Sequence, residues 1–388
     1  MFWALLLITA ASFHITSDEQ FRIRAATLAI TSIIALAFVV KLNPVWILFL
    51  VGASVWVVVG LRATRAVAAR SPYLASFLVI LPVLIVWVLG KQAVALEWSR
   101  LSILYFIGFS FYLIKAWTLI RDYHDGRIEQ VDPLVVVAYF LFFPAYIAGP
   151  MHFYGEFDET VRHPLGLDGE VLVDVIFRIL VGFVKIKLVA ALFLPVSLEA
   201  VRESGVLSVR RLGIGSFAYS VVIWADFSGY SDLAIATSRV AGIYTPENFN
   251  YPYGAANVRE FWQRWHLTFS RVLMSYVFVP LSRKMQTAFG QRGRAILIAA
   301  SLLTFIFCGY WHGPTLNFLL WGLYHGVGIL AYELYRRGIN KRRVKRVGRE
   351  RPLYAGLLGR AAGVVLTFSF VSIGWILFVL PTAMIFRR

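Results

Sequence analysis

Runs of about 20 apolar residues recur along the whole chain, and this feature restricts the possible folds more than any other. A bilayer hydrocarbon core about 30 Å thick is crossed by about 20 apolar residues in helical form. Inside lipid, every backbone polar group has to be hydrogen-bonded within the protein, so each run is expected to form an α-helix. The mean hydropathy of +0.70 and the 59% of hydrophobic residues agree with this expectation. We predict an all-α, polytopic transmembrane helical bundle, with residues 1–388 as a single integral-membrane domain.

About ten or eleven membrane crossings are predicted from these runs. The runs lie at 24–41, 44–61, 73–90, 101–120, 133–150, 171–198, 212–240, 294–310, 315–335 and 353–380. A shorter apolar segment, Met1–Phe13, precedes them. It lacks the basic leading region and the small-residue cleavage site of a secretory signal, so we expect it to stay in the mature chain.

The chain carries 38 lysines and arginines against 21 aspartates and glutamates, which gives a net charge of +17. In a soluble protein such an excess would favour nucleic acid as a partner. Here the basic residues lie between the predicted spans, where membrane topology and contact with anionic lipids explain them, and we predict no nucleic-acid binding. Because short basic loops face the cytoplasm, the loops at Arg283–Arg294 and Arg336–Arg351 are predicted to be cytoplasmic.

No metal site is predicted. Cys308 is the single cysteine and lies within an apolar run, which excludes a disulfide framework and a cysteine metal cluster. His124 has Asp122 and Asp125 beside it. Solvation of a polar loop explains these three residues better than metal ligation does.

The predicted topology places the ionisable residue His325 near the bilayer midplane. With both basic loops in the cytoplasm, the runs 294–310 and 315–335 form one helical hairpin, and the turn at Gly313 and Pro314 lies on the far side. His325 is then about ten residues into the returning helix, at a depth of about 15 Å for a rise of 1.5 Å per residue. Ionisable groups near the bilayer midplane are costly and are functional hypotheses by default.

The neighbours of His325 on the predicted helix support this hypothesis. Asn317, Trp321 and His325 recur every four residues and form one polar and aromatic stripe. Gly322 and Gly326 have the spacing of small residues that let a second helix approach closely. The imidazole is therefore predicted to face protein or a water-filled cavity rather than lipid. The alternative is a structural histidine that hydrogen-bonds a neighbouring helix.

A second polar segment lies at 257–283, where charged residues alternate with aromatic ones. A span exposed to lipid cannot carry this charge, so an interfacial or re-entrant helix shielded by protein is predicted. Glu260 and Arg264 are spaced for an i,i+4 ion pair. A basic amphipathic surface helix remains the alternative. Just before this segment, Asn248 and Asn250 are expected to supply the hydrogen bonds of a rigid loop.

Asp226 and Asp232 lie inside or at the edge of an apolar run, where carboxylates need partners. One of them is expected to orient a histidine or to pair with Arg259 or Arg264. A purely structural ion pair is the alternative.

Acyl transfer is the simplest chemistry for these groups. A neutral, partly dehydrated imidazole can take the proton of an alcohol that attacks a carbonyl carbon. No serine or cysteine has an obvious nucleophile setting, so direct transfer assisted by His325 is simpler than a covalent enzyme intermediate. A base at the bilayer midplane would let a cytoplasmic donor and an acceptor from the other side meet at one residue.

A set of motifs, in a fixed order over residues 108–326, resembles the membrane-bound O-acyltransferase (MBOAT) family, and within it the bacterial branch of the alginate O-acetylases. Each motif alone is a weak signal, but the ordered set is specific. The motifs are GFSFYLIKAWTLI, FFPAYIAGP, VGFVKIKLVAALF, DFSGYSDLAI, TPENFNYP, EFWQRWHLTFS and GYWHGPTLNFLLWGLYHG.

The resemblance implies a bundle that encloses a tunnel for an activated acyl donor and, opposite it, a cavity for the acceptor. The family's essential histidine matches His325 in WGLYHG, and its second important histidine matches His266 in FWQRWH. His325 is therefore predicted to be the general base, with His266 shaping the site or supporting the developing oxyanion. The supporting candidates are Asn317, which shares that role, and His312, Trp321, Asp226 and Arg264. Interfacial anchoring explains His312 equally well, because it lies at the predicted membrane-edge turn.

The resemblance also implies the substrates and the location. Acetyl-CoA in the cytoplasm would be the donor substrate, with no bound cofactor. A glycan, or an extracytoplasmic protein that passes acetyl groups to a glycan, would be the acceptor. The protein would be a multi-pass protein of the cytoplasmic (inner) membrane. The alternatives are D-alanyl transfer to teichoic acid, a transporter or conduit in which histidines relay protons, and a scaffold whose basic 336–351 loop binds anionic lipid or a cytoplasmic partner.

Overall fold

The computed structural model describes residues 2–39, 43–96, 108–290, 293–347 and 356–385. These residues form helices. The β-type pairing among them is a single antiparallel bridge between Phe249 and Trp265. The prediction of an all-α fold is confirmed.

The described residues form a series of helices, and residues 241–257 are the long connection between the twelfth and the thirteenth. In chain order they are α1 (Phe2–Ile15), α2 (Phe21–Val39), α3 (Pro44–Ala63), α4 (Arg65–Ala68), α5 (Pro72–Ala95), α6 (Phe109–His124), α7 (Pro133–Leu141), α8 (Tyr154–Arg162), α9 (Gly169–Val184), α10 (Ala191–Phe193), α11 (Leu198–Ser204), α12 (Val209–Val240), α13 (Val258–Trp262), α14 (Leu267–Val272), α15 (Val279–Phe289), α16 (Gly293–His312), α17 (Leu316–Val347), α18 (Leu357–Val379) and α19 (Thr382–Ile385). Two π-helical segments, Lys185–Ala190 and Leu273–Phe278, continue α9 and α14.

Six helical segments within the described residues are long and apolar enough to cross a membrane. They are Asp18–Val39, Pro44–Ala63, Pro72–Ala93, Gly169–Val196, Ala295–His312 and Leu357–Val379. Each overlaps a span predicted from the sequence. The spans predicted at 212–240 and 315–335 lie inside the 32-residue helices α12 and α17. The chain is a multi-pass membrane protein, and the number of ten or eleven crossings stays a prediction.

One predicted crossing, at 133–150, is wrong. Its helix α7 ends at Leu141 after nine residues, which corresponds to about 14 Å and is too short for the hydrocarbon core. A single 3₁₀ turn, Phe143–Ala145, follows it. Pro144 has no amide hydrogen for an α-helical bond, and the residues around Gly149 and Pro150 are not helical. For the run at 101–120, residues 101–107 lie outside the described residues, and the remainder belongs to α6.

The basic segment at 336–351 is also not the loop that was predicted. Helix α17 continues through it to Val347, because lysine and arginine are good helix formers and no glycine or proline interrupts the last nine residues. Residues 348–351 lie outside the described residues, as do the side chains of 339–347. In the other basic segment, Arg292 and the side chain of Arg294 are likewise outside them.

The chain divides into two compact units. Unit 1 comprises residues 1–183 and 229–247, and unit 2 comprises residues 184–228 and 248–388. In unit 1, α2 packs on α1 and α7, and α5 packs on α6. In unit 2, α17 packs on α16 and on α18. The single domain over 1–388 stays a prediction.

The hairpin of α16 and α17 in unit 2 is the predicted one, with its turn at residues 313–315. Glycines let the two helices touch backbone to backbone. A Cβ atom added at Gly322 would lie 2.2 Å from the carbonyl oxygen of Phe305, and one added at Gly309 would lie 2.2 Å from that of Phe318. At Gly326 the added atom would lie 3.2 Å from the Cβ atom of Phe305. The predicted close approach at Gly322 and Gly326 is confirmed.

Candidate active site

The predicted stripe on α17 points into the interior of unit 2. His325 has no exposed surface, and Trp321 and Asn317 are 1% and 8% exposed. The imidazole of His325 therefore faces protein, as the sequence predicted. Asn317 and His325 are eight residues apart, which corresponds to about 12 Å along the helix axis, so Trp321 stands between them. The amide nitrogen of Asn317 lies 3.5 Å from the backbone carbonyl oxygen of Phe378.

Aromatic rings surround His325. Its ring centroid lies 4.9 Å from that of Trp321 and 5.1 Å from that of Trp262, which is in the FWQRWH motif at the end of α13. Tyr324 and Phe370 complete the cluster at centroid distances of 5.4 and 5.5 Å. All four contacts to the imidazole are tilted or edge-to-face, the arrangement that aromatic pairs prefer. We call these five residues the His325 cluster.

Helix α18 approaches the imidazole closely at Gly374. A Cβ atom added there would lie 2.9 Å from Nε2 of His325. The hydroxyl of Tyr324 donates a hydrogen bond of 2.9 Å to the carbonyl oxygen of Phe370, which ties α17 to α18 beside the histidine. Glycine at 374 is therefore what leaves room for the ring.

Neither ring nitrogen of His325 has a hydrogen-bond partner among the residues that the structure describes. The hypothesis of a structural histidine bonded to a neighbouring helix does not fit this geometry. A buried polar atom without a protein partner is unusual in a native fold. In this setting the neutral imidazole offers one donor and one acceptor to another molecule.

His312 ends α16 and extends the same aromatic network. Its ring centroid lies 5.2 Å from that of Trp321 and 5.0 Å from that of Phe378. Trp321 thus contacts both His312 and His325, while the two histidines are on opposite helices of the hairpin. Both roles considered for His312, a supporting role in the site and interfacial anchoring, stay predictions.

His266 is the last residue of the FWQRWH motif, directly before α14, and it is 4% exposed. Its ring contacts Phe227 and Phe269 at centroid distances of 4.8 and 5.1 Å. Ring contacts connect it to the His325 cluster through Phe269, Trp311, His312 and Trp321 in turn. Both predicted catalytic histidines therefore belong to unit 2 and to one continuous aromatic network.

The backbone at His266 is in the left-handed region, with φ of 45° and ψ of 57°. This conformation is uncommon for residues other than glycine, costs on the order of 1–3 kcal/mol, and is concentrated at functional sites. It also separates two short helices, α13 and α14, within a segment that the sequence predicted as one re-entrant or interfacial helix.

Asn248 holds the strained segment in place. Its side chain is fully buried, and its amide oxygen accepts a hydrogen bond of 2.9 Å from the hydroxyl of Thr268. Its backbone oxygen accepts one of 2.9 Å from the amide of Leu267. On the other side of His266, the amide of Asn250 donates a bond of 2.9 Å to the carbonyl oxygen of Arg264. The predicted hydrogen bonds of the loop are present for the side chain of Asn248, whereas Asn250 contributes its backbone amide only. Together these bonds hold the backbone on both sides of His266.

Arg259 and Arg264 pair with glutamates and not with the aspartates that were predicted as their partners. Arg264 forms the predicted ion pair with Glu260 at 2.5 Å, and Arg259 pairs with Glu333 at 3.0 Å. Asp226 is exposed. The predicted pairing of an aspartate with either arginine is wrong, because residues on α13 and α17 already supply the carboxylates. Supporting roles for Asp226 and Arg264 stay predictions.

In unit 1, Asp232 pairs with Arg178 at 3.6 Å, and Glu247 contacts the same arginine at 2.5 Å. The structural ion pair considered for this aspartate is thus present within the unit. His124 is not solvated in a loop as predicted. It is 7% exposed at the end of α6, and hydroxyl groups of Thr64 and Ser76 bond its two ring nitrogens at 3.0 Å each.

Metal ligation does not account for the histidines of the described chain. Among these residues no group of three or more histidine, cysteine, aspartate or glutamate side chains is close enough to hold a metal ion. The chemistry that the His325 cluster offers is proton transfer and hydrogen bonding in a setting from which water is excluded.

The residues that sequence reasoning missed are Trp262 and Gly374. Trp262 was seen as part of a polar and aromatic segment, but its contact with His325 joins positions 63 residues apart, which no local pattern reveals. Gly374 lies in an apolar run in which glycine is common. Only the position of its ring beside His325 in the structure suggests that Trp262 has a hydrogen-bonding role.

A sequence model of the membrane-bound O-acyltransferase family matches residues 74–358, a range that contains both His266 and His325. The teichoic acid D-alanyltransferase of Streptococcus thermophilus is 28% identical over 318 residues, which are 79% of this chain and 74% of that protein. The probable alginate O-acetylase AlgI of Pseudomonas aeruginosa is 31% identical over 278 residues, 70% of this chain and 48% of that one.

The peptidoglycan O-acetyltransferase of Helicobacter pylori is 32% identical over 173 residues, which are 44% of this chain and 29% of that protein. These relatives differ in the acyl group and in the acceptor that their names give. They agree in being acyltransferases, and the family match covers most of the chain. The chain therefore belongs to the membrane-bound O-acyltransferase family and is a multi-pass membrane O-acyltransferase.

Proposed function

We propose that this protein transfers an acetyl group from a cytoplasmic thioester to a hydroxyl group of a secreted or cell-envelope polysaccharide, with His325 as the general base. The donor is acetyl-CoA, which is a substrate and not a bound cofactor. The acceptor receives the group directly or through an extracytoplasmic partner protein. The protein acts in the cytoplasmic (inner) membrane, in contact with its lipids.

The burial of His325 supports this proposal most directly, because both ring nitrogens lack a protein partner within the described chain. A relay of protons by histidines, as in a transporter, would need groups next to the imidazole that can accept a proton and pass it on. The indole N–H groups of Trp262 and Trp321 are donors only, and the hydroxyl of Tyr324 donates to the carbonyl oxygen of Phe370. Such a site fits a reaction in which the substrates themselves bring the hydrogen-bonding groups.

The reaction balances with one base. The hydroxyl oxygen of the acceptor forms a bond to the carbonyl carbon of the thioester, and its proton passes to the unprotonated nitrogen of His325. The carbon–sulfur bond then breaks. The leaving thiolate takes the proton from the imidazolium and departs as the free thiol, so that His325 returns to its neutral state.

D-alanyl transfer to teichoic acid is the second candidate. The alignment with the D-alanyltransferase of Streptococcus thermophilus covers more of both chains than the alignments with the two O-acetyltransferases cited above. The same base and the same sequence of bond changes serve this reaction, with a D-alanyl thioester as the donor.

The purified protein in lipid nanodiscs distinguishes these functions. Radiolabelled acetyl-CoA and a D-alanyl thioester of a phosphopantetheine carrier are each offered with alginate oligosaccharides, peptidoglycan fragments and poly(glycerol phosphate). We expect acetyl transfer to a saccharide to be the fastest combination. His325→Gln should reduce it by about 10²- to 10⁴-fold, the usual contribution of a general base.

The matched control is His163→Gln, because this histidine is largely exposed and pairs with Asp18 at 3.1 Å in unit 1. It should leave the turnover number unchanged. Undiminished transfer by His325→Gln would remove His325 from the role of base. Preferred transfer of D-alanine would replace acetyl in the proposal.

A further inference from the structure

The indole groups of Trp321 and Trp262 resemble His325 in one respect, which is that their buried nitrogen atoms lack a hydrogen-bond partner among the described residues. Nε1 of Trp321 and Nε1 of Trp262 are buried, and neither has a hydrogen-bond acceptor among the residues that the structure describes. Trp321 is 1% exposed as a whole residue. Buried indole N–H groups usually find an acceptor, because an unpaired one costs about 1–3 kcal/mol.

The rings that carry these donors lie beside each other and beside the imidazole. The ring centroids of Trp262 and Trp321 are 5.9 Å apart, and each lies about as close to the centroid of His325, at 5.1 and 4.9 Å. Two tryptophans of unit 1 meet the usual requirement. The indole N–H of Trp87 donates to the hydroxyl of Ser110 at 2.9 Å, and that of Trp56 donates to the carbonyl oxygen of Val79 at 2.9 Å.

The types of unpaired group define the chemistry of the missing partner. An indole N–H is a donor only, so both tryptophans require an acceptor atom. The acceptor nitrogen of the neutral imidazole requires a donor. A ligand that suits all three groups presents an oxygen acceptor to the indoles and an O–H group to His325. A thioester carbonyl and an attacking alcohol supply this combination.

We propose that the indole N–H groups of Trp321 and Trp262 donate hydrogen bonds to the carbonyl oxygen of the acyl group, and that they stabilise the negative charge that develops on it. This inference rests on the proposed function of His325 and adds the residues that bind the oxyanion. Sequence resemblance assigned that role to His266 and Asn317. The amide of Asn317 is about two helical turns from His325, and its nearest hydrogen-bond acceptor is the carbonyl oxygen of Phe378 at 3.5 Å.

The tryptophans change no bond in the reaction. As the alcohol oxygen attacks, the π electrons of the carbonyl move onto its oxygen, and the two N–H groups strengthen their bonds to this oxyanion. When the carbon–sulfur bond breaks, the carbonyl re-forms and the negative charge leaves with the sulfur. The donors thus bind the oxyanion more strongly than the ground-state carbonyl oxygen, which lowers the barrier without a proton transfer of their own.

The sharpest test removes each N–H group and keeps the ring. 3-Benzothienylalanine, in which sulfur replaces the indole N–H, is incorporated at position 321 or 262, and Trp321→Phe and Trp262→Phe serve as genetically encoded counterparts. Each isosteric replacement should lower kcat by on the order of 10²- to 10³-fold, as the loss of one oxyanion donor does elsewhere. The KM for the thioester donor and the melting temperature should change little.

Trp87→Phe is the matched control, because it removes an indole N–H that has a partner within unit 1. It should lower the melting temperature and leave kcat unchanged. If the isosteric replacements at 321 and 262 behave like this control, with normal kcat, the inference is overturned and the two tryptophans are packing residues only.

A spectroscopic measurement separates this inference from the proposed function. [1-¹³C]Acetyl-CoA is bound to His325→Gln protein, which cannot turn it over, and the isotope-edited carbonyl stretch is recorded by infrared difference spectroscopy. Hydrogen bonds from the indoles should shift this band to lower frequency, and the isosteric replacement at 321 should reverse the shift. An identical band in both proteins would overturn the inference even if His325 proves to be the base. Failure of acetyl-CoA to bind would contradict both the proposal that an acetyl thioester is the donor and this inference.

Discussion

Two buried histidines show how differently the two units treat an imidazole. His124 of unit 1 has a hydroxyl partner on each ring nitrogen, and its neighbouring helices are thereby joined. His325 of unit 2 is at least as buried, yet neither nitrogen has a partner among the described residues. The first arrangement satisfies the ring within the fold, and the second leaves its hydrogen bonds for another molecule. Burial alone therefore does not distinguish structure from function; hydrogen-bond partners do.

Replacing each histidine by alanine should affect a different property, activity for His325 and stability for His124. The loss of activity is the largest effect that we expect. His325→Ala should abolish acyl transfer, with a loss of at least about 10²-fold, because the base is gone. His124→Ala should keep the turnover number per folded molecule and lower the free energy of unfolding by about 1–3 kcal/mol, because hydrogen bonds are lost. Transfer assays and unfolding in mixed micelles measure both quantities. A loss of turnover in His124→Ala equal to that in His325→Ala would invalidate the comparison.

The glycines of unit 2 test whether His325 depends on backbone contact between α16 and α17. Gly322→Ala would place a methyl group against the carbonyl of Phe305, which cannot move without shifting α16, and it should destabilise the protein by about 1–3 kcal/mol. Gly213→Ala in α12 is the control, since nothing lies within 4 Å of an added Cβ atom there. It should be neutral or should stabilise by up to about 1 kcal/mol through helix propensity. Equal unfolding free energies for both variants would show that the contact is dispensable.

Asn248 sharpens the comparison on the side of His266. Asn248→Ala removes the acceptor of the Thr268 hydroxyl, and we expect a loss of about 1–2 kcal/mol in unfolding free energy together with a several-fold decrease in kcat. Both follow because the left-handed backbone at His266 loses its support. Asn250→Ala changes an exposed side chain in the same loop and should alter neither quantity. A normal kcat in Asn248→Ala would mean that His266 keeps its position without this residue.

The smallest effect concerns Tyr251, which like His266 is a non-glycine residue with positive φ in the described part of unit 2. Tyr251 has φ of 46° and is 83% exposed, so the strain there is not offset by packing. Tyr251→Gly should stabilise the protein by about 0.5 kcal/mol, the relief of strain less the entropy cost of glycine. His266→Gly should not stabilise, because the buried ring also loses its contacts with Phe227 and Phe269. Stabilisation by both variants would show that His266 is held by its backbone alone.

The sequence predicts what depends on spacing along one helix. The hairpin of α16 and α17, the buried stripe of Asn317, Trp321 and His325, and the ion pair of Glu260 with Arg264 all follow from a period of about 3.6 residues and from local turn chemistry. Apolar composition likewise predicts membrane helices but not their lengths.

What the sequence does not predict depends on distant parts of the chain. The partners of His124 lie between α3 and α4 and on α5, far from it along the chain, so its surroundings were predicted to be a solvated loop. The contact between Trp262 and His325, and the space left by Gly374, arise only when three helices meet. The crossing predicted at 133–150 is wrong because an apolar run gives no information on where its helix ends. Here α7 ends at Leu141, and Pro144 lacks the amide hydrogen that would continue it.

The glycine contacts between α16 and α17 have a consequence for motion. Two helices that touch backbone to backbone at Gly309 and Gly322 cannot separate without losing contact along their shared face. We therefore expect the hairpin to move as one body. His325 is carried on that body. A substrate that reaches its imidazole therefore has to displace Trp262 of α13 or Phe370 of α18, the two rings that contact it from outside the hairpin.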